Sequence, residues 1–211
     1  MTKSIRFGIG AVAVAIVAIM ASRFARPNLP IVQMLTTKRF TKGRPNGIRQ
    51  IVLHTAGVDE MRGKARALAA ELADVTTWDR DASWHYAIDD REIVQSVLDS
   101  DTAWHANQVN DWSIGIELIG HEQSAADWQD PYSKAELELA ARLVASLCLK
   151  YGIPIRRVTS EQLQADPHTP GILGHVDVAM AAGSDARTDP GVNFPWPSFM
   201  ARVLSIYRGE G

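Results

Sequence analysis

The chain of 211 residues has one cysteine, no acidic residue before Asp59, and no uncharged apolar run of the usual membrane-spanning length. With Cys148 alone, no intramolecular disulfide can form, and cysteine usage gives no information on the cellular compartment. Cys148 falls in a strongly helical stretch and is expected to be a buried small apolar group rather than a nucleophile. The apolar run at residues 7–21 has 15 residues, fewer than the roughly 17–25 that a membrane span uses.

Charge is distributed unevenly, although the net charge is only −2. Residues 1–58 contain nine basic residues and no acidic residue. The rest of the chain therefore holds 13 of the 22 basic residues and all 24 acidic residues. A basic arm therefore precedes an acidic domain. The arm suits contact with an anionic membrane or wall polymer, and it equally suits a solvated linker. We expect no nucleic-acid partner and a monomeric chain.

The amino terminus, residues 1–22, has the layout of an export signal. Lys3 and Arg6 precede the apolar run at 7–21, as in the positive start and apolar centre of such segments. Three alternatives remain open: a cleaved signal peptide, an uncleaved membrane anchor, and an apolar helix of a soluble protein. The first two predict an exported or membrane-anchored protein.

The rest of the chain divides into a basic linker at 23–47, with one short strand near Ile31–Leu35, and a domain at 48–208. Apolar periodicity and turn residues there predict alternating strands and helices, with no internal repeat. Ser133 and Glu136 are expected to form the capping box of the clearest helix, which Gly152 ends. The prediction is an α/β fold, a single domain with a central mixed β-sheet flanked by helices. The predicted strands are Arg49–Thr55, Trp84–Asp89, Glu92–Val97, Ser113–Ile119 and Ile172–His175, and the predicted helices are Met61–Ala73, Ser133–Tyr151 and Pro197–Tyr207.

Three residues form a candidate metal site. His54 ends an apolar run, and His175 and Asp189 follow far downstream. Two imidazoles and a carboxylate are the ligand set of a catalytic zinc that keeps its fourth position open. Asp177 and Asp185 are the alternatives for the third ligand, but Asp177 is only two residues from His175 and better suited to supporting a ligand. The residues thus favour a zinc hydrolase.

Five short motifs occur in an order that resembles the type 2 N-acetylmuramoyl-L-alanine amidases, over about residues 38–207. That family includes phage endolysins, anhydromuropeptide amidases and peptidoglycan recognition proteins. The resemblance implies zinc at the mouth of a surface groove, held by His54, His175 and Asp189. The motifs are Ile51–Thr55, Ser83–Asp89, Ala103–Ala106, Ser113–Leu118, and Gly174–His175 with Thr188–Gly191.

The resemblance also assigns catalytic positions. Glu117 matches the family's acidic residue on the central strand, where burial should raise its pKa and suit it to proton transfer; the alternative is a structural acid bonded to a ligand histidine. Arg187 stands where many members have lysine or histidine. It either stabilises the oxyanion or faces solvent, and it cannot donate a proton. Trp84 is expected in the groove wall or the core.

Four further residues are predicted to bind substrate. His85 and His105 belong to motifs that line the groove, and they either touch substrate or only shape the groove. Trp104 either stacks on a sugar or packs against the sheet, and Asn110 either bonds the stem peptide or makes a turn.

The function that the resemblance implies is zinc-dependent hydrolysis of the amide between the lactyl group of N-acetylmuramic acid and L-alanine in peptidoglycan. Such an enzyme lyses or remodels the cell wall, as phage endolysins do, from the periplasm or the outer face of the membrane. The alternative is a peptidoglycan-binding module on the same fold without hydrolysis. Loss of a ligand would favour that alternative, but all three candidate ligands and Glu117 are present.

Overall fold

A computed structural model describes residues 29–74, 76 and 80–210. Eight strands, five α-helices and two short 3₁₀ helices, Asn107–Trp112 and Asp127–Gln129, follow one another along these residues. The strands are β1 Ile31–Gln33, β2 Phe40–Thr41, β3 Gln50–Thr55, β4 Tyr86–Ile88, β5 Ile93–Gln95, β6 Thr102–Ala103, β7 Ser113–Leu118 and β8 Gly171–Gly174. The helices are α1 Lys64–Ala73, α2 Pro131–Tyr151, α3 Ser160–Ala165, α4 His175–Ala181 and α5 Trp196–Arg208.

Six strands form one mixed sheet in the order β1-β5-β4-β7-β3-β8. β4 and β5 pair antiparallel, as the predicted hairpin requires, and all other neighbours in this sheet are parallel. Parallel strands need crossover connections, which the helices provide. The central strands β3 and β7 lie side by side, so their carboxyl ends meet at the same edge of the sheet.

The two faces of the sheet are covered differently. One face packs against α2 and α5 and forms the largest core cluster. Apolar residues at alternate strand positions supply this face, among them Ile51, Leu53, Ile114 and Ile116. The opposite face packs against α1 and, at the β8 end, against α3 and α4. Because side chains alternate along a strand, His54 and Glu117 project from this second face. The predicted α/β domain with a mixed sheet flanked by helices is confirmed.

The structure differs from the linker expected over residues 23–47. Within its described part, β1 pairs with β5 at the sheet edge, and β2 forms a two-stranded sheet with β6. Arg44 is part of the fold, because its guanidinium donates hydrogen bonds to the backbone carbonyls of Asp99 and Asn110. β1 lies where the one short strand was expected, near Ile31–Leu35. No local sequence pattern marks β2 or the long-range pairings, so the scattered basic residues and prolines suggested a linker.

The start of α2 is also different from the expected capping box. Asp130 is the N-cap, with Pro131 first in the helix, and its carboxylate accepts from the Ser133 amide at 2.7 Å. Glu136 is buried and instead accepts from the Ile119 amide at 2.6 Å. A tertiary contact thus replaces the predicted local one. The end of α2 at Gly152, in the left-handed conformation, is as predicted.

The predicted signal or anchor over residues 1–22, with its apolar run at 7–21, lies outside the described residues. Within the described ranges, no helix combines the length and apolar character needed to cross a membrane.

Candidate metal centre and its cavity

His54, His175 and Asp189 meet at the carboxyl-terminal edge of the sheet. His54 is the penultimate residue of β3, and His175 is the first residue of α4, directly after the neighbouring strand β8. Nδ1 of His54 lies 3.1 Å from Nδ1 of His175 and 3.0 Å from Oδ2 of Asp189. Nδ1 of His175 lies 3.2 Å from Oδ1 of Asp189. Parallel pairing of β3 with β8 brings the two histidines together.

The spacing of these donor atoms fits a tetrahedral metal. Ligand atoms held about 2.0–2.1 Å from a tetrahedral zinc stand roughly 3.3 Å apart. The three observed separations, 3.0 to 3.2 Å, are close to that value. Within the described residues, this is the one group of three or more potential ligands within mutual reach. The residues present therefore fit a metal ion with an open fourth position.

Burial and neighbouring groups shift the pKa values of His54 and Asp189. Desolvation lowers the pKa of His54 and outweighs the neighbouring Asp189, which raises it; the charges of His175 and Arg187 add to the lowering. Burial alone would raise the pKa of Asp189, but its close contacts with the His175 and His54 imidazoles outweigh burial and bring it below its usual range. Neutral imidazoles and an ionised carboxylate are the forms that bind metal.

The loop carrying Asp189 is fixed against the end of β8. The Asp189 carbonyl accepts from the Val176 amide at 2.9 Å, and the ring of Pro190 lies against Gly174. A Cβ on Gly174 would approach Cδ of Pro190 to 2.7 Å, so only glycine permits this contact. Asp177 accepts from the Gly174 amide at 2.7 Å and pairs with Arg157. Asp177 therefore supports the helix that carries His175, as its spacing suggested, rather than joining the triad.

Glu117 stands beside the triad on the central strand. It is the direct partner of His54 in the pairing of β7 with β3, and it lines the same cavity. Burial, and then the charge of Asp189, raise the pKa of the Glu117 carboxyl to about 8, although Arg187 and Arg80 act in the opposite direction. A carboxyl that titrates near neutral pH can both accept and donate a proton.

The triad opens into a cavity of about 800 Å³, a volume typical of ligand sites. Arg187 lines it, as does Trp84, which is also buried against α1 and so belongs to both wall and core. Arg80 and Glu122 line it as well and were missed, because neither lies in a motif. Glu122 accepts a hydrogen bond from Thr188 and so contacts the loop that carries Asp189.

His105 lines the cavity but uses both ring nitrogens within the protein. Its Nδ1 lies 3.1 Å from Nε2 of His54, and its Nε2 lies 3.0 Å from Oγ of Ser113. His85 is 0% exposed and does not line the cavity. Its Nδ1 accepts from the Gly115 amide at 3.0 Å, and its Nε2 lies against Arg44. Of the two roles expected for His85, these contacts favour the one that shapes the groove, because both ring nitrogens are engaged within the protein.

Trp104 and Asn110 likewise lie outside the cavity lining. The indole of Trp104 donates to Oγ1 of Thr41 at 3.0 Å, beside the small β2–β6 sheet. The amide oxygen of Asn110 accepts from the backbone amides of His105 and Ala106 at 3.1 and 2.7 Å. Both contacts lie at the loop that contains His105, so they favour packing for Trp104 and a turn for Asn110 among the roles expected for them.

Comparison with known proteins agrees with this geometry. The profile of a family described as N-acetylmuramoyl-L-alanine amidase matches residues 43–192, well over half of the chain. The chain belongs to this family. The match begins within the segment expected to be a linker and extends just past the Asp189 loop, so it includes every residue of the triad and Glu117.

Individual relatives have moderate similarity. N-acetylmuramoyl-L-alanine amidase A of Achromobacter lyticus is 32% identical over 123 residues, which cover 56% of this chain and 66% of that protein. The 1,6-anhydro-N-acetylmuramyl-L-alanine amidase AmpD of Salmonella typhimurium is 33% identical over 122 residues, or 54% and 52% of the two chains. The chain thus spans between about a third and two thirds of the length of the first curated relatives it matches.

Solved structures share the fold. The Staphylococcus aureus hydrolase AmiA, solved with its ligand, superposes with a TM-score of 0.60 at 16% identity, covering 96% of this chain and 94% of that one.

Proposed function

We propose that this protein is a zinc-dependent N-acetylmuramoyl-L-alanine amidase that hydrolyses the lactyl–L-alanine amide of peptidoglycan. The observation that carries the proposal is the placement of His54, His175 and Asp189 around one point, with Glu117 beside them, in an open cavity of a family member. The names of the Achromobacter and Salmonella relatives, both amidases of muramyl–L-alanine bonds, support the substrate class.

Zinc is the proposed metal because two neutral imidazoles and a carboxylate form a typical catalytic zinc set. When bound, zinc would polarise the substrate carbonyl and lower the pKa of water to about 7. His54, His175 and Asp189 would hold it, and their fixed positions on β3, α4 and the adjoining loop leave one side open to the cavity.

Glu117 is the proposed general base and acid. Its carboxylate takes a proton from the attacking water as the water adds to the lactyl carbonyl. The same carboxyl then gives that proton to the departing amine of L-alanine, so no net proton remains on the enzyme. A pKa near 8 suits both steps at neutral pH, and such transfer typically contributes 10²–10⁴-fold to rate.

Arg187 is proposed to stabilise the negative charge that develops on the carbonyl oxygen. It lines the cavity two residues before Asp189, and its charge acts on both His54 and Glu117. A guanidinium supplies charge and hydrogen-bond donors but no transferable proton. Proton transfer is therefore assigned to Glu117 or water and not to Arg187.

Mass spectrometry of purified peptidoglycan after digestion by the full chain tests this proposal. We expect chelator-sensitive release of stem peptides with a new L-alanine amino terminus, leaving intact glycan strands. Intact glycopeptides after incubation with folded, zinc-loaded protein would contradict hydrolysis and favour the peptidoglycan-binding module. Cleavage at another amide would contradict the proposed bond.

We also propose that the enzyme acts on the outer side of the cytoplasmic membrane. The apolar run at 7–21, with Lys3 and Arg6 before it, and a substrate in the cell wall support this location. Fractionation of cells that express the full chain should place it in the membrane or periplasm, and recovery in the cytoplasm would contradict export.

A further inference from the structure

A buried row of hydrogen bonds leads from the metal site into the protein. It runs from His54 through His105 and Ser113 to the carbonyl of Val109, with successive separations of 3.1, 3.0 and 2.7 Å. All four residues are buried, and Ser113 is 0% exposed. Val109 belongs to the 3₁₀ helix that precedes β7, so the row ends on backbone atoms held by local structure.

The direction of these hydrogen bonds follows from the last acceptor. A carbonyl oxygen can only accept, so the hydroxyl hydrogen of Ser113 must point at Val109. Oγ of Ser113 then has only lone pairs to offer to His105, and Nε2 of His105 must carry the hydrogen between them. Within the described part of the chain, the ring nitrogens of His105 bond to His54 and Ser113 alone, with no carboxylate to favour a charged ring.

A neutral His105 with hydrogen on Nε2 has a bare Nδ1. That atom can only accept, so Nε2 of His54 must donate to it, which leaves Nδ1 of a neutral His54 without hydrogen. This bare Nδ1 faces the carboxylate of Asp189 at 3.0 Å and Nδ1 of His175 at 3.1 Å. Two acceptors at 3.0 Å repel each other, and a cation between them converts that repulsion into attraction.

Gly115 provides the space in which His105 lies. A Cβ at Gly115 would stand 2.5 Å from Cγ of the His105 ring, closer than any real contact. Ser113, Gly115 and Glu117 occupy alternate positions of β7 and so share one face. One strand face thus supplies the hydroxyl for His105, the space for its ring, and the acid beside the metal site.

We propose that Ser113 is a positioning residue that acts through His105 to fix the tautomer of His54, so that Nδ1 of His54 is always presented to the metal as a lone pair. The inference rests on the metal site of the proposed function and goes beyond it. Outer hydrogen bonds of this kind typically change metal affinity by about 10- to 100-fold. Removal of the Ser113 hydroxyl leaves Nε2–H of His105 without an acceptor and allows the hydrogens of both rings to redistribute.

The first test measures the wild-type protein, so it does not depend on how any variant folds. Long-range ¹H–¹⁵N NMR of the metal-free full chain distinguishes the two nitrogens of each imidazole. We expect hydrogen on Nε2 of both His54 and His105. Hydrogen on Nδ1 of His105 would reverse the row and overturn the proposal.

The second test measures zinc affinity by competition with a chromophoric chelator. Ser113→Ala is expected to bind zinc about 10-fold or more weakly than wild type, with a mixed His54 tautomer, while Ser113→Thr keeps the hydroxyl and restores most of the affinity. Ser96→Ala is the matched control, because Ser96 is also fully buried and its hydroxyl has no hydrogen-bond partner in the described ranges.

The outcomes separate this inference from the proposed function. Equal zinc affinity and an unchanged His54 tautomer in folded Ser113→Ala would overturn the inference and leave the amidase proposal intact. A wild-type protein that binds no zinc would contradict the proposed function itself. If Ser113→Ala does not fold, the wild-type NMR measurement still decides the direction of the hydrogen bonds.

Discussion

His54 and Glu117 are direct partners across the parallel strands β3 and β7. Paired residues of neighbouring strands project from the same face of a sheet, so this register places a candidate metal ligand beside a buried carboxyl. Apolar side chains on the other face of both strands lock the register, because a shift by one residue would expose them. The chemistry of the site thus depends on the same pairing that forms the core.

Replacement of Glu117 by glutamine separates proton transfer from metal binding. Glu117→Gln keeps the shape of the side chain but cannot take a proton from water. We expect kcat to fall about 10²–10⁴-fold, with zinc content and thermal unfolding close to wild type. Glu71→Gln, at the exposed rim of the same cavity, is the control and should change kcat by less than about threefold. Full activity of Glu117→Gln would disprove the assigned role.

Arg187 variants measure the contribution of its charge. Arg187→Ala should lower kcat about 10²–10³-fold, the usual cost of losing an oxyanion donor, with little change in zinc affinity. Arg187→Lys should recover part of the loss, because it restores the cation but not the planar pair of donors. Steady-state kinetics on a soluble muramoyl peptide would check this. If Arg187→Ala changes KM alone, Arg187 binds substrate without stabilising the transition state.

The contact between Gly115 and His105 predicts a strongly non-additive pair of mutations. Gly115→Ala forces the imidazole out of its site and should destabilise the protein by about 1–3 kcal/mol while weakening zinc binding. In a His105→Ala background the same mutation meets no ring, so its cost should nearly vanish. Chemical denaturation of the four proteins of this cycle gives the coupling energy. Equal costs in both backgrounds would mean that the ring is not the obstacle.

The buried Glu136 makes the free energy of unfolding fall as the pH rises. Burial raises the pKa of the Glu136 carboxyl well above its ordinary value. The hydrogen bond from the Ile119 amide opposes this shift, and the charges of Glu60, Asp89 and Asp130 add to it. The folded state therefore holds a proton that the unfolded chain releases above about pH 4.5. The contribution of Glu136 to the free energy of unfolding is fully present below that pH, and it is lost as the pH rises toward the pKa of Glu136 in the folded state.

Glu136→Gln removes this titration while keeping an oxygen for the Ile119 amide. The free energy of unfolding of the variant, relative to wild type, should therefore rise with pH by up to about 1.4 kcal/mol per unit above pH 4.5. Urea denaturation at several pH values measures the difference. A difference that stays constant with pH would mean that Glu136 titrates normally in the folded protein.

Sequence reasoning found what depends on local pattern and on motifs. The strands β3 and β7, the hairpin of β4 and β5, and helices α2 and α5 follow from apolar periodicity and end signals. The triad of His54, His175 and Asp189 followed from residue types whose combination has few other uses. The strands and helices are encoded by neighbouring residues, whereas the members of the triad are far apart in the sequence and were found through their residue types and motifs.

The residues whose role the sequence left open are those that depend on distant partners. His85 and Trp104 lie in the family motifs and Asn110 lies just before one, yet Gly115, Thr41 and the backbone of His105 engage their polar atoms. Similarly, β2 was not predicted, because it depends on pairing with the distant strand β6. A motif identifies that a residue matters, but only the fold decides whether it faces substrate or supports a neighbour.

Hydrolysis of a defined muramoyl peptide in H₂¹⁸O, with and without chelator, tests the central claim most directly. The account predicts one ¹⁸O atom in the lactyl carboxylate, an unlabelled peptide with a free L-alanine amine, and loss of both products with chelator or in Glu117→Gln. An intact substrate after incubation with zinc-loaded, folded protein, or ¹⁸O in a peptide carboxylate, would contradict it.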